Sequence, residues 1–301
     1  MHTRRALLVD AFTDDPLAGN VAGVVPEADG LSDSQMQAIA RELRAPETAF
    51  LLSSTEADRT VRFFSPTGEV DLCGHATIAS HALLAAEGLD EGTHTLETNV
   101  GVLDIELDGE TVWMTQTYPD VRKLEVAYGD VAEALGIGTR AFTGMKRDLP
   151  LARASTGLPF LVVPVEYLSD LSDMAPDFRE IERLTDEHDC AGLYTFTFDT
   201  LGGDATLHGR MFAPGLGIDE DPVTGTASGA VGAYLDVFDA FDSTPEEMVF
   251  EQGHFVDRPG RVRVRATGGP EARPQVGGRA VVSFEGDIAI PADEDDDIIE
   301  A

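Results

Sequence analysis

The 301-residue chain carries 55 Asp and Glu against 21 Lys and Arg, a formal net charge of −34, with 43% hydrophobic and 25% charged residues. That hydrophobic content excludes a disordered chain, and so negative a surface repels phosphate backbones, which excludes nucleic acid as a partner. No apolar run approaches the roughly 18 residues of a membrane helix, so a soluble protein with no membrane partner is expected. At molar ionic strength the Debye length falls to about 3 Å, and the charge excess therefore fits the proteome of a salt-loving organism, with carboxylates outside motifs lying on solvated surface. The two cysteines, Cys73 and Cys190, give neither a disulfide framework nor a zinc spacing, which agrees with a reduced cytosol.

Residues 1–9 are basic and then apolar, but Asp10 ends the run too early for a secretory signal, so a first strand at Leu7 to Val9 and a cytoplasmic location are expected. The turn Asp14-Asp15-Pro16 and Gly19-Asn20 leads to a second strand, Val21 to Val25. A helix follows from Asp33 to Leu43, with Met36, Ile39, Ala40 and Leu43 at helical spacing and Ser32 with Gln35 as a capping box. Pro46 stops it, and Glu47 stands where a strand ending at Leu52 begins. A carboxylate at the mouth of an apolar strand is ordinarily solvated, so position alone gives Glu47 no role. Arg59 to Phe64 alternates as a strand, and Ala76 to Leu84 reads as a helix. Thr95 to Asn99, Val102 to Leu107 and Thr111 to Gln116 read as successive strands, the last two joined at Asp108-Gly109.

In the second half, Val131 to Leu135 and Phe178 to His188 are helical. Arg153 to Gly157, Phe160 to Val165, Gly192 to Phe198 and Leu207 to Phe212 are strands. A small-residue helix covers Ser228 to Leu235, Val262 to Ala266 and Val281 to Phe284 are late strands, and the acidic tail has too little apolar content to order itself. No GxGxxG loop, P-loop or Cys/His metal pattern occurs, so neither cofactor nor metal is implied.

One unit occurs twice. Phe64-Ser65-Pro66 matches Phe212-Ala213-Pro214, and Gly74-His75-Ala76 matches Gly225-Thr226-Ala227. Each match is a strand, a loop and a glycine-opened helix, whose free N–H groups and positive dipole end suit an anion such as a carboxylate. Two such turns facing one ligand would bring together Glu47, Cys73-Gly74-His75, Asp221 and Gly225-Thr226, a set fit for proton transfer next to a carboxylate. Each residue also has a plainer reading. His75 and Thr226 can be ordinary helix-start residues, Cys73 a small buried thiol, Cys190 simple packing and Asp221 a loop former, with Asp219 and Glu220 solvated.

Spread in order over nearly the whole chain are Asp10-Ala11-Phe12-Thr13, Pro16-Leu17-Ala18-Gly19-Asn20 and Met36 to Glu42. Further on come Glu47-Thr48-Ala49-Phe50, Cys73-Gly74-His75-Ala76-Thr77 and Glu220-Asp221-Pro222-Val223-Thr224-Gly225. Together they resemble the phenazine biosynthesis PhzF-like family, a relative of diaminopimelate epimerase. The resemblance implies an α+β chain of two pseudo-symmetric lobes. Each would be a curled, barrel-like mixed sheet around a central helix, here Ala76 to Leu84 and Ala227 to Leu235, with the active site between the lobes. The lobes would be 1–118, completed by a strand near 279–290, and 119–278, with 291–301 as an acidic tail. It further implies a homodimer and a metal- and cofactor-independent isomerase of a small carboxylate, like trans-2,3-dihydro-3-hydroxyanthranilate isomerase. Glu47 would then be the acid/base, with His75 and Asp221 polarising the substrate and Cys73, Gly74, Gly225 and Thr226 binding it. This chain has Thr224-Gly225-Thr226 where the family usually has Thr-Gly-Ser, and no cysteine at the second turn, which excludes a two-thiol racemase. A one-base epimerase or racemase and a non-catalytic carboxylate binder remain open alternatives.

Overall fold

A computed structural model describes residues 2–143 and 147–292; Lys146 and the expected acidic tail from Asp293 onward lie outside them. The chain divides into two compact units, one of residues up to Met114 with those from Gly278 onward, the other of Thr115–Gly277.

The first unit runs β1 (Thr3–Ala11), β2 (Asn20–Val25), α1 (Asp33–Leu43), β3 (Thr48–Leu52), β4 (Arg59–Phe64), β5 (Glu69–Val70), α2 (Gly74–Ala86), β6 (Gly92–Thr98), β7 (Gly101–Asp108) and β8 (Thr111–Thr115). Helix α1 starts where the capping box predicts. The Ser32 side chain accepts from the Gln35 N–H at 3.3 Å, and the Gln35 side chain accepts from the Ser32 N–H at 3.1 Å. Arg44 ends it in the left-handed region at φ 56°, ahead of Pro46. The buried side of α1, Met36, Ile39 and Ala40, packs with Val25, Phe50 and Phe64.

The strand pairings are β1 antiparallel to β2, β2 parallel to β3, β3 antiparallel to β4, β4 parallel to β6, and β6, β7 and β8 antiparallel in turn. Short β5 pairs with the far end of β4. The last strand among the described residues, numbered β18 in chain order (Ala280–Ala289), lies antiparallel to β1 and belongs to this unit. Helix α2 packs against β1, β2, β3 and β18 and is buried over most of its circumference, including Ala76, Ile78, Ala79, Leu83 and Leu84. A helix apolar all round and rich in alanine is what a wrapping sheet requires.

The second unit repeats the plan. Its elements are β9 (Asp120–Lys123), α3 (Tyr128–Leu135), β10 (Ala152–Ser155), β11 (Pro159–Pro164), α4 (Leu168–Ser172), α5 (Phe178–Glu187), β12 (Gly192–Thr197), β13 (Leu207–Ala213), β14 (Ile218–Asp221), α6 (Gly225–Val237), β15 (Met248–Gln252), β16 (Gly260–Arg265) and β17 (Gln275–Gly278). From β9 to β17 the pairings are antiparallel, antiparallel, parallel, antiparallel, parallel, antiparallel, antiparallel, with β14 on the end of β13 as β5 is on β4. That is the order from β18 through β8. Helix α6 touches β9, β10 and β11 at one end of the sheet and β16 near the other, so the sheet curls around it. Its glycines permit the approach: a Cβ on Gly232 would stand 2.5 Å from Val264 Cγ1 and 3.0 Å from Ala266 Cβ. The fold is α+β, two units of one topology, each a curled mixed sheet around a central helix.

The duplication reaches side chains. Arg62 on β4 holds Glu69 of β5 with both carboxylate oxygens, at 2.8 and 2.7 Å, and Arg210 on β13 holds Glu220 of β14 at 2.9 and 2.7 Å. Each guanidinium also lies over the phenylalanine two residues on, 5.1 Å from Phe64 and 5.0 Å from Phe212. Glu220 is therefore not the solvated carboxylate its neighbour Asp219 is. A bidentate arginine partner, which sequence adjacency does not reveal, removes it from water.

Candidate active site

In the first unit the structure gathers three of the expected residues. Glu47 enters from the turn between α1 and β3, its carbonyl accepting from the Gly23 N–H at 2.9 Å. Cys73 is the N-cap of α2 and His75 its second residue. Glu47 Oε2 lies 3.4 Å from His75 Nε2 and 3.7 Å from Cys73 Sγ, and Sγ lies 3.4 Å from His75 Nδ1. The side chains of Glu47 and His75 are 23% and 13% exposed, so the expectation of a solvated Glu47 fails, because an imidazole and a thiol flank its carboxylate. Burial pushes His75 below the ordinary imidazole range, opposed by the Glu47 carboxylate and by a hydrogen bond to the Val21 carbonyl. The imidazole is neutral at neutral pH, able to pass a proton rather than hold a fixed charge.

The backbone completes this cluster. Within α2 the first N–H to find a carbonyl is that of Thr77, bonded to Cys73 O at 3.0 Å, so the N–H groups of Gly74, His75 and Ala76 have no partner inside the helix. Three donors at a positive helix end, beside a carboxylate, an imidazole and a thiol, can hold an anion and move a proton near it.

In the second unit Asp221, Gly225 and Thr226 form their own cluster. Asp221 ends β14 and its carboxylate accepts from the Thr224 hydroxyl. Gln252, at the end of β15 and almost wholly buried, fixes the loop: its side-chain oxygen accepts from Thr224 N at 3.2 Å, and its amide nitrogen donates to Asp221 O at 2.8 Å and Thr224 Oγ1 at 3.1 Å. Gly253, next in sequence, is left-handed at φ 87°, and a Cβ there would meet Arg258 O at 2.2 Å and Pro222 O at 2.6 Å. Helix α6 begins at Gly225 and its first internal bond is Ser228 N to Thr224 O at 3.0 Å, which leaves the N–H groups of Gly225, Thr226 and Ala227 without partners inside the helix.

Sequence reasoning missed Gln252 and gave Asp10 no weight of its own. Asp10 is buried at the end of β1 and accepts from the Leu17 N–H at 2.7 Å, tying down the loop before β2; a carboxylate in an apolar strand was the available signal. Gln252 carried none, since its partners lie some 30 residues earlier in sequence. Cys190 sits in the core with Leu161, Leu193 and Phe212, its thiol pushed up to about 11 by burial. Among the described residues no helix is long and apolar enough to cross a membrane.

The profile of the family described as phenazine biosynthesis-like protein matches residues 9–286, all the elements that hold both clusters. The chain belongs to the phenazine biosynthesis-like, PhzF-type family. It is 36% identical over 295 residues to an uncharacterised isomerase of Clostridium acetobutylicum, covering 94% of this chain and 97% of that one. Among solved structures it superposes on a PhzF-family protein of Bacillus anthracis with a TM-score of 0.88 at 34% identity, over 96% of this chain and 100% of the other. A hydroxyproline epimerase from Agrobacterium vitis shares the fold alone, at a TM-score of 0.55 and 15% identity over 96% and 91% of the chains. Membership in the PhzF-type family and the isomerase names of its relatives make this an isomerase-like chain.

Proposed function

We propose that the chain is a metal- and cofactor-independent isomerase of a small carboxylate, with Glu47 as the group that removes and returns a carbon-bound proton. The observation that carries this reading is the contact of the half-buried Glu47 carboxylate with His75 and Cys73 at the open N-terminus of α2. Backbone N–H groups of Gly74 and His75 hold the substrate carboxylate, and His75 polarises the bond being changed. The second unit has a turn of the same kind, where Asp221 and the N–H groups of Gly225 and Thr226 suit a carboxylate, with Gln252 and Gly253 fixing their loop. The chemistry is of the kind trans-2,3-dihydro-3-hydroxyanthranilate isomerase performs; the fold does not carry the substrate with it.

The position of Cys73 favours a second reading, a one-base epimerase acting on an amino acid, since a thiol 3.7 Å from a carboxylate can be the base in its place. Incubating the protein at high salt in D2O with a panel of cyclic carboxylates and amino acids, read by NMR, tests both. Carbon-bound deuterium with a moved double bond or hydrogen supports the isomerase. Deuterium confined to an amino-acid α-carbon supports the epimerase, and thermal stabilisation by carboxylates with no exchange anywhere in the panel contradicts both.

A further inference from the structure

Glu47, Cys73 and His75 offer one oxygen, one sulfur and one nitrogen, all within 4.8 Å of one another. Zn–S near 2.3 Å and Zn–N and Zn–O near 2.0 to 2.2 Å place tetrahedral ligand atoms about 3.3 to 3.6 Å apart. Here Oε2 to Nε2 is 3.4 Å, Sγ to Oε2 is 3.7 Å and Sγ to Nε2 is 3.9 Å, so a shift of a few tenths of an ångström closes the set. We propose that these three side chains form a site for a single Zn2+ ion, and that its occupancy takes Glu47 out of the proton transfer.

The chemistry of the donors fits. A thiolate and a carboxylate balance the charge of a divalent ion, and a mixed S, N, O set selects zinc over magnesium or calcium, which take oxygen ligands. Binding releases the Cys73 thiol proton to solvent, forms the Zn–S, Zn–N and Zn–O bonds and moves no electrons. Three protein ligands leave a fourth position open to water or to a substrate carboxylate. Cys73 is 7% exposed and stands with His75 at the start of a 13-residue helix, while Glu47 directly precedes β3, so regular elements already hold the three ligands together. Inhibition by the ion rests on Glu47 being the proton carrier, whereas binding of the ion stands on the three ligands alone.

Titrating the chelator-treated full-length protein with Co2+ alone, at a salt concentration that keeps it folded, tests the site through the thiolate-to-cobalt absorption in the near ultraviolet. One equivalent should saturate that absorption and Zn2+ should displace it. Cys190→Ser should keep it and Cys73→Ser should abolish it with the near-ultraviolet circular dichroism unchanged. His75→Gln, which retains the thiol, should weaken Co2+ binding roughly 10-fold or more. Absence of the band from the wild type, its survival in Cys73→Ser or its loss in Cys190→Ser would overturn the site. Absorption needs no substrate, so the two readings fail separately. A chain that shows the band without isomerising anything contradicts the proposed function, and one that isomerises without the band contradicts the zinc site.

Discussion

His81 lies inside α2, 3% exposed, with Nδ1 2.9 Å from the Thr77 carbonyl. Burial pushes it from 6.5 down to about 4. A histidine whose folded pKa is depressed stays neutral in the native state while the unfolded chain takes up a proton below 6.5. Its contribution is therefore whole above 6.5 and is lost as pH falls towards 4. The gap is worth about 3 kcal/mol for a fully buried group. Urea midpoints measured across that window should fall steadily with acidification, and His81→Asn, which keeps a donor for Thr77, should flatten part of the slope. An unchanged slope in the variant would show that His81 titrates normally in the folded chain. His75, His208 and His254 are shifted downward by burial as well, so their own contributions have the same sign.

At the scale of elements, the duplicated Arg–Glu pairs differ in burial and so in cost. Arg210 and Glu220 have side chains 8% and 11% exposed, against 23% and 29% for Arg62 and Glu69. Glu220→Ala strands a buried guanidinium and should cost about 3 to 5 kcal/mol. Glu69→Ala should cost about 1 kcal/mol, because Arg62 is wetter and keeps Asp33 at 2.6 Å. Equal losses in denaturant melts would mean that burial does not set the strength of these struts. Elements with local signals were legible in the sequence: α1 through its capping box, β4 through alternation, and the central helices through their opening glycines. The short strands β5, β9, β14 and β17 were not, because two to four residues carry no periodicity and are strands only through distant partners. Extending the match of Phe64 with Phe212 back by two residues would have paired Arg62 with Arg210, though not their glutamates, which follow the arginines by seven and by ten residues. The candidate site was legible as separate motifs. Its contacts were not, since Glu47 and Cys73 stand 26 residues apart and nothing in their spacing places a thiol against a carboxylate.

For the whole molecule, a formal charge of −34 is the dominant physical fact. Repulsion among unpaired surface carboxylates weakens the folded state in dilute buffer and is screened as salt approaches about 1 M. The melting temperature should therefore rise steeply with KCl, and a melting temperature independent of salt would contradict the reading of a protein adapted to brine. The same field draws cations towards the surface, so the metal and substrate experiments belong at high salt, where that diffuse attraction is suppressed.

The central claim is that Glu47 moves the proton, and the rate of Glu47→Gln on a compound that the wild type isomerises tests it most directly. Gln keeps the shape and removes the base, so turnover should fall by roughly 10²- to 10⁴-fold while ligand-induced thermal stabilisation persists. A Glu47→Gln enzyme that turns over within a few-fold of the wild type would contradict the account and pass the role to Cys73 or His75.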